Sequence, residues 1–196
     1  QNPDSESAYA MLESFALLYE QTRDEKWLNY ARDMAAQFST WVMSYDYRYN
    51  DNCLFGRLGM KTTGTVFANT QNKHGSPGIC THSGLALLRL YRATNNPVYL
   101  QLLQEIAQAI PQYMSHSTRT IAGMSPGWIN ERVSTTDWFE GIGEVKPGST
   151  WAETALLLTA VELPSIYVDT ELKSCYVFDQ LKAELVAEKR GGVQLR

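Results

Sequence analysis

Apolar positions recur at helical spacing through the first half of the chain. Ala8, Met11, Leu12, Phe15 and Tyr19 fall three or four residues apart, and after a short polar break Leu28, Ala31, Ala35, Phe38 and Val42 resume the pattern. This spacing predicts two helices, the second capped by Asp24. The same arrangement returns 72 residues later. LYEQTRDEKWLNYARDMA (18–35) aligns without gaps on LYRATNNPVYLQLLQEIA (90–107), matching Leu18 with Leu90, Tyr19 with Tyr91, Thr22 with Thr94, Leu28 with Leu100 and Ala35 with Ala107. A repeat at fixed offset marks a duplicated supersecondary unit, and Asn96-Pro97 supplies the helix start in the second copy. The short breaks make each unit an antiparallel helical hairpin.

A third unit is degenerate. Thr150, Trp151, Ala152 and Glu153 read as a capping box that opens the apolar run Ala155 to Val161, ended by Pro164, with no convincing partner helix. Beyond it, Leu181, Ala183, Leu185 and Ala187 alternate with mostly polar residues. KRGG (189–192) then offers a turn, and Val193 and Leu195 continue the alternation, which predicts a β-hairpin; a helix through Leu181 and Leu185 is the competing reading. The expected organisation is a mainly α domain of helical hairpins over 1–170, followed by a C-terminal β-element over 171–196.

If the three leading helices, opening near Ser5, Ser83 and Thr150, run parallel, the segments that feed them (1–6, 43–82 and 115–149) share one end of the bundle. The last two are far longer than a connection requires, and such loops are usually functional or disordered. Their Trp, Tyr, His, Asn and Gly content argues for order. Composition sharpens this only a little. At 196 residues, 44% hydrophobic and 19% charged, the chain has the make-up of a folded globular domain. A net charge of −4 argues against a nucleic-acid surface, and no apolar run is long enough to predict a membrane span. Three scattered cysteines form neither a disulfide framework nor a CxxC metal site. The compartment stays open, with a secreted or periplasmic setting favoured. The start at Gln1 and the strand pattern running up to Arg196 suggest a chain cut at both ends.

NPDSES leading into a helix that ends LYEQT, the D-x-x-W-L of the next helix, and the repeated hairpin with long loops on one side resemble the (α/α)6 toroid, or six-hairpin glycosidase-like, superfamily over about residues 2–165. That resemblance implies a ring of inner and outer helices with a carbohydrate cleft at the N-termini of the inner ones. Two hairpins and a partial third cannot close such a ring, so it further implies the C-terminal portion of a larger enzyme, partnered by a missing N-terminal half or a second copy.

Glycoside hydrolysis needs two carboxylates across the scissile bond. Asp4 and Glu6 stand at the start of the first helix. Capping alone accounts for Asp4, which leaves Glu6 as the candidate ionised partner, favoured by the helix dipole. The third long segment joins Glu131, Asp137, Glu140 and Glu144 to Trp128, Trp138, Phe139 and Trp151. Indole faces suit pyranose rings, and a carboxyl beside an indole resists ionisation, so Asp137 next to Trp138 is the candidate general acid. The substrate-binding candidates are Asp4, Asn72, His74, Trp128, Glu131, Trp138, Glu140 and Trp151. The opposing reading is that these aromatics only hold a long loop together.

His74, beside Asn72 and Lys73, could donate to a sugar hydroxyl or carry a proton, whereas His82 and Cys80 read as structural. His74, Cys80 and His82 match no zinc pattern, so neither metal nor organic cofactor is expected. The resemblance, together with these candidate residues, points to a carbohydrate-active enzyme, a glycoside hydrolase, acting on an oligo- or polysaccharide. The alternatives are a non-catalytic glycan-binding or structural subunit, and a lyase or epimerase.

Overall fold

Helix α1 (Ser5–Thr22) begins where Asp4, in extended conformation, accepts a hydrogen bond from Ser7 N at 2.6 Å, and α2 (Glu25–Ser39) where Asp24 accepts from Lys26 N at 3.0 Å. In this computed structural model the described residues are 3–121, 123–135, 141–148, 150–178, 185–189 and 192–195. The 72-residue repeat is reproduced down to single hydrogen bonds between the α1–α2 turn and that joining α4 (Leu85–Thr94) to α5 (Val98–Ala109). Arg23 and Asn95 both adopt the left-handed conformation (φ 57° and 54°) and donate their N–H to Tyr19 O and Tyr91 O. Thr22 and Thr94 donate their hydroxyls to Leu18 O and Leu90 O, each at 2.7 Å. Asn96 then accepts from Val98 N at 3.2 Å, so the second helix starts just after Pro97 rather than at it.

The two hairpins share one core. Tyr9, Leu12, Leu28, Phe38, Leu87 and Leu100 are buried together. The buried stripe of α1 is Ala8, Tyr9, Leu12 and Ala16, rotated from the one the spacing suggested, and Met11 is exposed. Tyr9 causes the rotation. Its ring packs edge-on against Phe38 at 5.2 Å and beside His82 at 5.0 Å, while its hydroxyl accepts a hydrogen bond from Ala86 N at 3.1 Å. That amide lies in the first turn of α4, whose N-terminal flank, Gly84, offers no side chain to cap it. Burial holds the Tyr9 phenol far above its ordinary pKa, so it stays neutral.

The long segments are where the expectation of a mainly α, toroid-type array fails. After the one-turn helix α3 (Leu54–Arg57), they form a four-stranded antiparallel sheet in the order β1 (Val66–Phe67), β2 (His74–Ser76), β3 (Arg132–Ser134), β4 (Val145–Lys146). The chain is a mixed α and β fold. β2 and β3 come from different long segments and pair His74 with Ser134 and Gly75 with Val133. Beneath the sheet lies a second core of Phe55, Tyr113, Ile121, Ile129, Val133 and Val145.

The helix α6 (Thr150–Glu162) departs from a ring as well. Thr150 lies inside the helix, not at its cap, and it is the last turns of α6 that reach the start of α4. Ser83 Oγ donates to Glu162 at 2.6 Å, and Thr159 Oγ1 to Ser83 O at 3.5 Å. A toroid of parallel inner helices would instead set Thr150 beside Ser83. No partner helix follows among the described residues. The chain turns into a hairpin of β5 (Ile166–Asp169) and β6 (Ser174–Val177), and β6 docks on α5 through Val177 N to Gln104 at 2.9 Å and Gln108 to Val177 O at 3.3 Å. A last antiparallel pair joins β7 (Leu185–Lys189) to β8 (Gly192–Leu195).

Removing only the Tyr9 hydroxyl tests its role as an internal cap. Tyr9→Phe leaves Ala86 N buried without its acceptor and is expected to cost about 1–3 kcal/mol in urea unfolding, with little change in the m-value.

Candidate functional site

The three segments that feed α1, α4 and α6 meet at a cleft of about 250 Å³. Asp4, Ser5 and Glu6 enter from the start of α1. Asn69, Asn72, His74 and Ser76 come from around β1 and β2, Gly78 and Cys80 from the approach to α4, Glu131 and Arg132 from β3 and its lead, and Trp151 from the first turn of α6. Backbone contacts lock the walls together. Ser5 N and Oγ both donate to Ala68 O, at 3.0 and 3.1 Å, and Asp4 forms a β-bridge with Asn69.

Close packing beneath β2 depends on Gly75. A Cβ there would lie 2.5 Å from Thr65 Cγ2 and 3.2 Å from the Met43 methyl, so only glycine lets the strand lie flat on that core. Its neighbour His74 is 5% exposed, and its Nδ1 lies 3.1 Å from Asn72 O. A carbonyl only accepts, so Nδ1 carries the proton in this contact.

Glu131 is the best-anchored acid of the cleft. Its carboxylate is ion-paired to Arg132 Nη1 at 2.9 Å and to Lys146 Nζ at 3.2 Å, with the Glu131 and Arg132 side chains only 15% and 13% exposed. Glu6 is exposed at the cleft mouth. The Cys80 thiol is pushed up to about 11, first by burial, then by the charge of Glu6 and a hydrogen bond to its carboxylate, and also by the charge of Glu131; a hydrogen bond with Thr81 pulls the other way. Cys80 is therefore a protonated thiol at neutral pH and a poor nucleophile.

The cleft thus holds Asp4, Glu6, Asn72, His74, Glu131 and Trp151 of the residues singled out from sequence. Asp4 is occupied as the α1 cap. Trp128 is not on the cleft wall; it is 56% exposed and lies over Gly148. Glu144 accepts from Leu54 N, the first amide of α3, at 3.1 Å, and His82 pairs with Glu13 at 3.2 Å. Asp137, Trp138 and Glu140 lie outside the described residues. Sequence reasoning missed Arg132 and undervalued Cys80. No local signal marked the first, because β3 is only three residues long and Ser134 is buried like Val133. Among the described residues, no group of three or more His, Cys, Asp or Glu side chains is placed to hold a metal ion.

Compared with known proteins, the chain matches no family model, no curated protein and no solved structure. Neither the mixed fold nor these comparisons support the six-hairpin superfamily, and the resemblance to it does not hold.

Alkylation reads the influence of Glu6 on Cys80. Iodoacetamide labelling of Cys80, followed by peptide mass spectrometry, is expected to be slow at pH 8 and to rise towards pH 11, because only the thiolate reacts. Glu6→Gln, which removes the neighbouring negative charge, should speed labelling at pH 8 several-fold; an unchanged rate would refute that influence.

Proposed function

We propose that the chain binds carbohydrate in this cleft and cleaves a glycosidic bond with Glu6 and Glu131 as its paired carboxylates. One observation carries the reading: a single cleft draws three carboxylates, two amides, an imidazole and an indole from three distant segments of the chain. Amide, imidazole and carboxylate groups match the hydroxyls of a sugar, and the Trp151 indole offers a face for its C–H surface. Glu131, clamped by two cations, acts as the charged member that stabilises the oxocarbenium-like transition state. Glu6, open to solvent, exchanges the proton. This reverses the role suggested for Glu6 by its helix position alone, because the two cations lie on Glu131.

A second reading has its own support. Glu131 is already ion-paired to two cations, and Glu6 stands near enough to the Cys80 thiol to raise its pKa, as these acids would in a module that binds glycan without cleaving it.

Turnover of a panel of aryl glycosides and oligosaccharides, with binding followed by calorimetry, separates the two. For a hydrolase, Glu6→Gln and Glu131→Gln should each lower kcat by roughly 10²- to 10⁴-fold, with melting temperature and glycan affinity little changed for Glu6→Gln. Glycan binding without turnover by the unmodified protein selects the binding module, and absence of both overturns the carbohydrate reading.

A further inference from the structure

A second groove, of about 430 Å³, lies where the C-terminal half of α1 meets α4. The buried Ala16, Leu28 and Leu90 close its base, half-buried Tyr19 and Ala93 give it apolar surface, and Arg23, Arg89 and Arg92 stand around it. Glu20 is the one acid lining it among the described residues, and it is ion-paired to Arg89. The local balance is three positive charges against one negative, in a chain whose net charge is −4.

Two of the guanidiniums are held in place by aromatic rings. Arg23 lies over Tyr19 and Arg92 over Tyr167, each 5.7 Å from the ring centroid. Both arginines are exposed, so their fork of N–H donors is available to a ligand. Cations at the ends of α1 and α4 also offset the helix dipoles. That offset needs neither a shared groove nor an apolar surface, and the volume lies in the range of small-molecule sites.

We infer that this groove binds a small organic molecule bearing a tetrahedral oxyanion, a phosphate or sulfate ester, with the oxyanion between Arg23 and Arg92 and the body of the molecule against the apolar surface of Tyr19 and Ala93. A planar guanidinium matches such an oxyanion through paired hydrogen bonds, and the apolar surface discriminates an ester from the free ion. About 13 residues of α1 separate Glu6 from Tyr19, roughly 20 Å at 1.5 Å per residue, so this site is distinct from the carboxylate cleft.

Amide NMR titration of the full chain at constant ionic strength tests it, with phenyl phosphate, phenyl sulfate, inorganic phosphate and sodium chloride as probes. The expected result is saturable shifts at Leu28 and Ala93 but not at Asn72 or Trp151. Phenyl phosphate or phenyl sulfate should bind at least tenfold more tightly than inorganic phosphate, and the stronger of the two identifies the ester. Arg92→Gln and Arg23→Gln, both exposed substitutions that leave the Arg89–Glu20 pair intact, should each weaken binding about tenfold with an unchanged melting temperature. Shifts equal to those from chloride, esters no tighter than the free ion, or affinity indifferent to both substitutions would overturn the site.

Discussion

The pairing of β2 with β3 is the constraint on which the rest of the cleft depends. It joins His74 to Ser134 and Gly75 to Val133 across nearly 60 residues of chain, so closing it carries a loop-closure cost that local structure cannot offset. Burial offsets it instead: Val133 enters the core with Phe55 and Tyr113, and the missing side chain at Gly75 lets Thr65 and Met43 pack directly beneath the strand. Once the pair forms, Glu131 and Arg132 are carried to the wall that already holds His74, and Lys146 on the next strand reaches Glu131. The ion pairs of the cleft are consequences of strand register.

The helical half meets its constraint differently. A helix start buried without a cap leaves amide donors unsatisfied, and α4 is such a start. Tyr9 from α1 satisfies Ala86 N, while Ser83 Oγ satisfies Leu85 N and itself donates to Glu162 of α6. Three helices are tied at one point by polar groups inside an apolar core. Burial strengthens such contacts and makes each of them costly to lose.

Charge is divided along α1. Its first turn faces a cleft where acids outnumber the arginine, and its last turn borders a groove ringed by arginines. The fold therefore gathers cations at one end of this helix despite the chain's net negative charge.

Much of the helical half is legible in the order of residues alone. The 3.6-residue period, the Asp24 and Asn96 starts and the 72-residue repeat are local signals, set by groups within a few residues of one another, and the same hydrogen bonds recur at Thr22 and Thr94. Candidates such as Glu6, His74 and Glu131 could be named from residue type and loop length. The sheet could not. Strands of two or three residues are too short to show alternation, and their partners lie far away in sequence. The direction of α6 was equally hidden, because it is decided by Ser83 meeting Glu162 rather than by anything within the helix. Local periodicity determined which residues become helix and which long segments lie between the helices. Only tertiary structure decided that those segments pair as strands, that Arg132 and Cys80 join Glu6 and Glu131, and that the described residues form no ring of parallel helices, since register and helix direction are settled by burial and hydrogen bonding between residues remote in the chain.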